Sequence, residues 1–174
     1  DVTTATDTVV RPARPDERRD IFASTHELAP PGGSLSRHLA SCRRDRRLAA
    51  AEYDVAIRDG AIAGSVASGT VEVEETAGPV GVVFGLHVTT PCRRQGLGGR
   101  LLEAACERLA AGGCIAVYLR ADADPRLFER SGFVRLPSVS PLDGAVAMIR
   151  TDDDENRRLL ARADIFRRLD AWAF

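Results

Sequence analysis

Apolar and polar positions alternate with period two over Tyr53–Arg58. They recur at i, i+3, i+4 through Leu101, Leu102, Ala105, Cys106 and Leu109, so strands and helices are interleaved. Thr8–Arg11 is β-prone and stops before Pro12. Asp16 is placed to cap a helix to about Leu28, with Ile21 and Phe22 facing inward. Ala29-Pro30-Pro31-Gly32-Gly33 breaks that helix, and Ser34 opens a second one to about Ala51 on the sparse apolar positions Leu35, Leu39 and Leu48. Asp59-Gly60 is a hairpin turn between Tyr53–Arg58 and Ala61–Val73. A second turn, Glu75–Gly78, leads to Val80–Val88, whose near-continuous apolar run suits a central strand covered on both faces. The three strands are expected to be antiparallel. A glycine-rich turn and a helix to about Ala111 follow, closed by Gly112-Gly113. Cys114–Leu119 is a strand, Pro125–Arg130 a short helix, and Phe133–Leu136 with Ala145–Ile149 a last strand pair. The acidic run Asp152–Glu155 suits the positive end of a final helix, about Asp154–Ala171, with Leu159, Ala163, Phe166 and Leu169 on one side. The order predicts an α/β fold of the α+β kind, built on one mixed sheet.

Composition narrows what such a fold does. The chain has 174 residues, enough for one domain with its own core. It is 44% hydrophobic and 28% charged, with a formal net charge of -1, so no overall field draws it to nucleic acid or an anionic membrane. No apolar run approaches the roughly 20 residues of a spanning helix, and Asp1–Arg19 lacks the apolar segment of a secretory signal. The chain opens on Asp1 rather than Met, so its natural start is expected upstream. All 24 basic side chains are arginine, which removes lysine Schiff-base chemistry and any Walker-type lysine. Cys42, Cys92, Cys106 and Cys114 form no CxxC pair and have no histidine at zinc-ligand spacing. They are read as free thiols in a reducing, cytoplasmic compartment, and no metal is expected.

The chemistry concentrates after Val88. A strand that runs into a glycine turn and then a helix N-terminus presents free N–H groups to an anion. Arg93-Arg94-Gln95-Gly96-Leu97-Gly98-Gly99 is such a turn. It is not the dinucleotide fingerprint, because Leu101 stands where the third glycine belongs, and it lacks the P-loop's lysine.

Arg93, Gly96 and Gly98 fill the pattern R/Q-x-x-G-x-G/A, which resembles the pyrophosphate-binding motif of the GNAT superfamily, the GCN5-related N-acetyltransferases. Leu127-Phe128-Glu129-Arg130-Ser131-Gly132-Phe133 resembles that family's L-Y-E-x-x-G-F segment, and Val10-Arg11-Pro12-Ala13 with Asp16 its opening. The resemblance covers about residues 8–150. It implies a single acyl-CoA N-acyltransferase domain, residues 1–153; the C-terminal amphipathic helix, 154–174, extends beyond the part that resembles the family. It also implies acetyl-CoA, or another acyl-CoA, as cosubstrate. The pyrophosphate would rest on the N–H groups from Arg94 through Gly99, with Arg93 at the head of the motif. The pantetheine arm would pair with the backbone of Leu86, His87 and Val88, and a backbone N–H near Val88 would polarise the thioester carbonyl. The bound amine would attack directly.

The sequence departs from the family where protons move. Val82 and Phe84 stand where a base is usual, Phe128 replaces the tyrosine that protonates the thiolate, and Ala121 replaces an asparagine. His87 is the titratable group nearest the thioester; it is a catalytic candidate or a strand histidine facing a helix. Asp122 and Asp124 are amine-orienting groups or turn and cap residues. His26 and His38 line the acceptor side or are ordinary polar residues. The run Arg43–Arg47 meets an acidic acceptor or is a solvated face. Cys92 is a turn spacer.

Three readings follow. The first is acetyl transfer to a primary amine of a small molecule or peptide. The second is an acyl-CoA-binding module with little turnover. The third is transfer of a longer acyl chain against an apolar wall of Val82 and Phe84. The stripe of the last helix, ending in Trp172 and Phe174, folds back on its own chain or docks on a second copy as a homodimer.

Overall fold

The computed structural model describes residues 7–121, 124–136 and 145–173, with side chains as far as Leu169. Seven strands form one sheet: β1 Val9–Pro12, β2 Glu52–Arg58, β3 Ala61–Val71, β4 Val80–Val88, β5 Ala116–Ala121, β6 Val134–Arg135 and β7 Val146–Arg150. Their hydrogen-bonded order is β1-β2-β3-β4-β5-β7-β6. The apolar run of β4 is therefore the middle strand, and Val80–Val83 are buried. β1 pairs antiparallel with β2, β4 parallel with β5 over Val80–Val82 against Ala116–Tyr118, and β7 antiparallel with both β5 and β6. A parallel pair needs a crossover, which helix α4, Leu97–Ala111, supplies here. At the β2–β3 turn, Asp59 and Gly60 have φ of 51° and 75°, the positive pair that a two-residue hairpin requires.

The chain's contacts group it into two compact units, and single elements run through both. The first holds residues 1–67 and 85–104. Here the expected opening helix is three pieces: a 3-10 turn Pro15–Glu17, helix α1 Arg18–Ser24, and a second 3-10 turn Thr25–Leu28. Asp16 is not its cap. Glu17 turns back to accept the Arg14 N–H at 2.7 Å and pairs with the Arg11 and Arg14 guanidinium groups. The second expected helix is also divided, into α2 Leu35–Arg44 and α3 Arg46–Ala50. Asp45 divides it: its backbone is extended, and its carboxylate accepts from the N–H groups of Arg47 and Leu48, competing with the helix for those donors. Ser34 caps α2 as its position suggests. Leu101 of α4 packs so closely on β3 that a Cβ at Gly64 would lie 2.9 Å from Leu101 Cδ1 and 2.8 Å from His87 O.

The second unit holds residues 68–84 and 105–174. Its helices are the rest of α4, α5 Arg126–Arg130, α6 Asp154–Leu160 and α7 Ala163–Ala173. Val82, Tyr118 and Ile149 from the strands are packed with Leu160, Ile165, Phe166 and Leu169 from the last two helices. The Tyr118 and Phe166 rings meet edge to face, centroids 6.0 Å apart. One long terminal helix was expected; the break at residues 161–162 changes its phase. Leu160 and Ile165 are buried, whereas Leu159 is half-buried and Ala163 exposed. The stripe is thus covered by its own chain. Trp172 and Phe174 lie outside the described side chains, as does the segment 137–144 outside the described residues.

Candidate active site

The glycine turn begins where β4 ends. Thr89 N–H donates to Ala63 O at 2.9 Å, and Thr90–Cys92 makes a 3-10 turn. Arg94 and Gly96 then adopt positive φ, 62° and 78°. Alternation between the two hands of backbone turns successive N–H groups toward one concavity, the arrangement that holds anions. The first helical bond of α4 runs from Arg100 N–H to Gly96 O at 3.2 Å. The N–H groups of Leu97, Gly98 and Gly99 precede it and have no acceptor within the helix. No acidic residue occupies that first turn. The space a Cβ would take at Gly96 or Gly99 is open, while the Leu97 side chain is buried and anchors the turn. These are features that fit a pyrophosphate: donors converge, the helix dipole favours negative charge, and nothing fills the approach.

Strand parity sets the direction of the neighbouring backbone. Thr89 N–H points to β3, so the N–H and C=O of Val88 point to the opposite side. The Val88 carbonyl accepts from Arg93 Nε at 2.9 Å, and its N–H points past the end of the β4–β5 ladder, which runs over Val80–Val82. Gly85, with φ of 61°, bends β4 just before Leu86–Val88. Arg93 therefore acts as a strut that ties the turn to the end of β4.

The other end of that strut is a residue the sequence did not single out. Glu27, in the turn after α1, accepts from Arg93 Nη2 at 3.1 Å, from Thr90 N–H at 3.2 Å and from the Thr90 hydroxyl at 3.1 Å. His87 Nε2 lies 3.0 Å from the same carboxylate without making a hydrogen bond to it. The His87 side chain is only 3% exposed. Burial lowers its pKa, with Arg93 acting the same way; Glu27 and the backbone at Ser24 oppose them. It is thus a buried imidazole facing the end of α1, with its pKa held below the ordinary value.

The remaining candidates separate. Phe128 sits on α5, half-buried and edge to face with Phe133 at 6.4 Å. Val82 and Ala121 are buried, and Phe84 is packed on the core of the second unit, so none of these three carries a proton. Asp124 is a turn residue ahead of α5: it accepts from Arg126 N–H at 3.0 Å, and the Arg126 guanidinium holds its carboxyl at about 2. Asp122 lies outside the described residues. His26 donates toward Gly33 O at 3.0 Å and His38 toward Phe22 O at 3.0 Å, so both hold backbone. Arg43, Arg44 and Arg46 are exposed, and Arg47 pairs with Asp45. Cys92 is a half-buried free thiol. Among the described residues, no cluster of His, Cys, Asp or Glu is arranged to hold a metal, and no helix is long and apolar enough to cross a membrane.

The fold is shared with solved acetyltransferases. The Escherichia coli GNAT family N-acetyltransferase YhbS, solved with CoA, superposes at a TM-score of 0.67 with 23% identity, over 89% of this chain and 87% of that one. A Brucella melitensis GNAT family acetyltransferase solved with acetyl-CoA gives 0.61 at 17% identity, over 85% and 90%. The NatC complex bound to Gag peptide and CoA gives 0.64 at 15%, over 84% and 99%. No curated protein matches the sequence. The sequence profile of the Acetyltransferase (GNAT) family matches residues 17–133, which include α1, the middle strand, the glycine turn, α4 and Phe133. With that profile spanning most of the chain, and the turn built as its motif requires, the chain belongs to the GNAT acetyltransferase family.

Proposed function

We propose that the protein transfers an acetyl group from acetyl-CoA to a primary amine of a small molecule or peptide. The observation that carries this reading is the set of donors at one end of β4: the N–H groups of residues 94–99 and the outward N–H of Val88. CoA-bound structures of the same fold support acyl-CoA as the cosubstrate. The amine nitrogen forms a bond to the thioester carbonyl carbon as the carbon–sulfur bond breaks, and the sulfur leaves with the electron pair. In this chain the Val88 N–H would meet the carbonyl oxygen as its charge grows, and residues 94–99 would hold the phosphates. Arg93 and Glu27 keep that turn in place. The amine's proton passes to water or to His87, and water supplies the proton to the thiolate, since Phe128 has none to give.

A second reading, an acyl-CoA-binding module with little turnover, is favoured by one observation: Val82, Phe84, Ala121 and Phe128 carry no acid or base. A longer acyl chain finds less support, because Val82 is spent in the core. Release of free thiol from acetyl-CoA over an amine panel separates the readings. Amine-dependent release supports transfer; CoA binding without it supports the module. A cytoplasmic location belongs to the same proposal and agrees with four free thiols. A homodimer through the last helix would now rest on residues 170–174, and sedimentation of the full chain tests it.

A further inference from the structure

The loop between the turn after α1 and helix α2 borders an open surface cavity of about 380 Å³. Pro30, Pro31, Gly32 and Gly33 form its loop wall, and Ser34, Arg37, His38 and Ser41 face it from α2. Its lining contains no carboxylate. Arg37 forms no ion pair among the described residues. Ser34 Oγ accepts from the Arg37 N–H at 3.2 Å, so its own hydrogen remains to be donated. His38 uses its Nε2 proton on Phe22 O and Thr25 Oγ1, which leaves Arg37 as the charged donor of the lining. A guanidinium with two hydroxyls and no counter-charge matches a planar or tetrahedral oxyanion.

The cavity also begins close to the proposed site along the chain. Glu27 is bound to Thr90 and Arg93 of the glycine turn, and the cavity wall begins two residues later at Ala29. His26 pins the far side of the loop through Gly33 O.

We infer that this cavity binds an anionic group of the acceptor, so that the substrate is an amine that also carries a carboxylate or a phosphate. The inference rests on the acetyl-transfer reading above and names the substrate class for it. One charge-assisted contact of this kind is worth about 1.5–3 kcal/mol, or roughly tenfold to a hundredfold in affinity.

The test is calorimetric titration of the full chain in the presence of CoA, which cannot transfer an acyl group. The probes are straight-chain ω-amino carboxylates of three to six carbons, aminoalkyl phosphates of the same lengths, and the matching n-alkylamines. The expected result is at least tenfold tighter binding of one anionic series than of the neutral amines, and the better series identifies the anion. In Arg37→Leu that advantage should fall below about twofold, and Arg37→Lys should restore part of it. Arg37 is exposed, so the fold is not at stake, and an unchanged thermal shift with CoA confirms that the turn is intact. Equal binding of neutral and anionic amines, no binding of either anionic series, or an advantage that survives Arg37→Leu overturns the inference. Selective binding with no amine-dependent thiol release from acetyl-CoA would instead overturn the transfer reading alone.

Discussion

Glu27 gathers three donors onto one carboxylate, so its loss should be felt at the cofactor turn rather than where it sits. In Glu27→Gln the amide no longer offsets the Arg93 charge, and binding must order a looser turn. The expected outcome is an acyl-CoA KM raised about threefold to tenfold, less than the full size of one charged hydrogen bond because Val88 O still holds Arg93, with kcat nearly unchanged. An unchanged KM would mean that Arg93 is held by Val88 O alone. Phe128 offers the opposite experiment. It is half-buried beside Phe133, and on the proposed mechanism a hydroxyl on its ring would supply the acid that the family resemblance implies. Phe128→Tyr should raise kcat by about tenfold or more, since a positioned acid is typically worth 10²- to 10⁴-fold, while acyl-CoA affinity stays the same. Stopped-flow thiol release measures both. The glycine motif was legible in the sequence because its residues are near neighbours, with Gly96 at a φ of 78° that favours glycine. Glu27 was not legible, because Thr90 and Arg93 lie 63 and 66 residues away and only the fold brings them together.

Elements show where local rules hold and where they yield. Ser34, Asp59-Gly60 and Gly112-Gly113 end or turn the chain where their chemistry says they should. The helices broken at Asp45 and after Leu160 were both read as continuous; at Asp45 the reason is that an apolar stripe does not register a side chain that takes backbone donors. The opening element depends on Glu17 in the same way. Its carboxylate joins Arg11 of β1 to the first 3-10 turn, with Arg11 Nη1 2.9 Å from Oε2. The Arg11 guanidinium is the main cause that holds its carboxyl at about 2, against the ordinary 4.5. A depressed carboxyl stabilises the fold above the unfolded value, and that contribution is lost as pH falls from about 4.5 toward 2. Glu17→Gln should therefore cost about 1–2 kcal/mol at neutral pH, reduced from the full value of a buried pair because Arg14 is largely in water. Its stability should also decline less steeply over that acid window. Urea unfolding at several pH values checks the sign; parallel declines would show that the pair is silent.

For the molecule as a whole, the sequence pointed correctly to a mixed α/β sheet with β4 in the middle. It left open what the last helix covers. The structure answers that within the second unit, where Leu160, Ile165, Phe166 and Leu169 complete the core around Val82, Tyr118 and Ile149. At roughly 1.5–3 kcal/mol for each large apolar side chain, those four represent about 6–12 kcal/mol, as much as an ordinary domain's net stability. A chain ending before Asp154 should accordingly lose cooperative unfolding and aggregate. A soluble, cooperatively folding truncation would contradict this packing. The central claim is that the turn after β4 holds acyl-CoA by its backbone. Its most direct measurement is the acetyl-CoA dissociation constant of the wild-type chain against Gly96→Val, read by calorimetry with circular dichroism as the control for folding. At φ of 78° a β-branched residue cannot keep this backbone, and its side chain would occupy the open space above the donors. The account predicts that the folded variant binds acetyl-CoA at least a hundredfold more weakly; a folded variant that keeps wild-type affinity would contradict it.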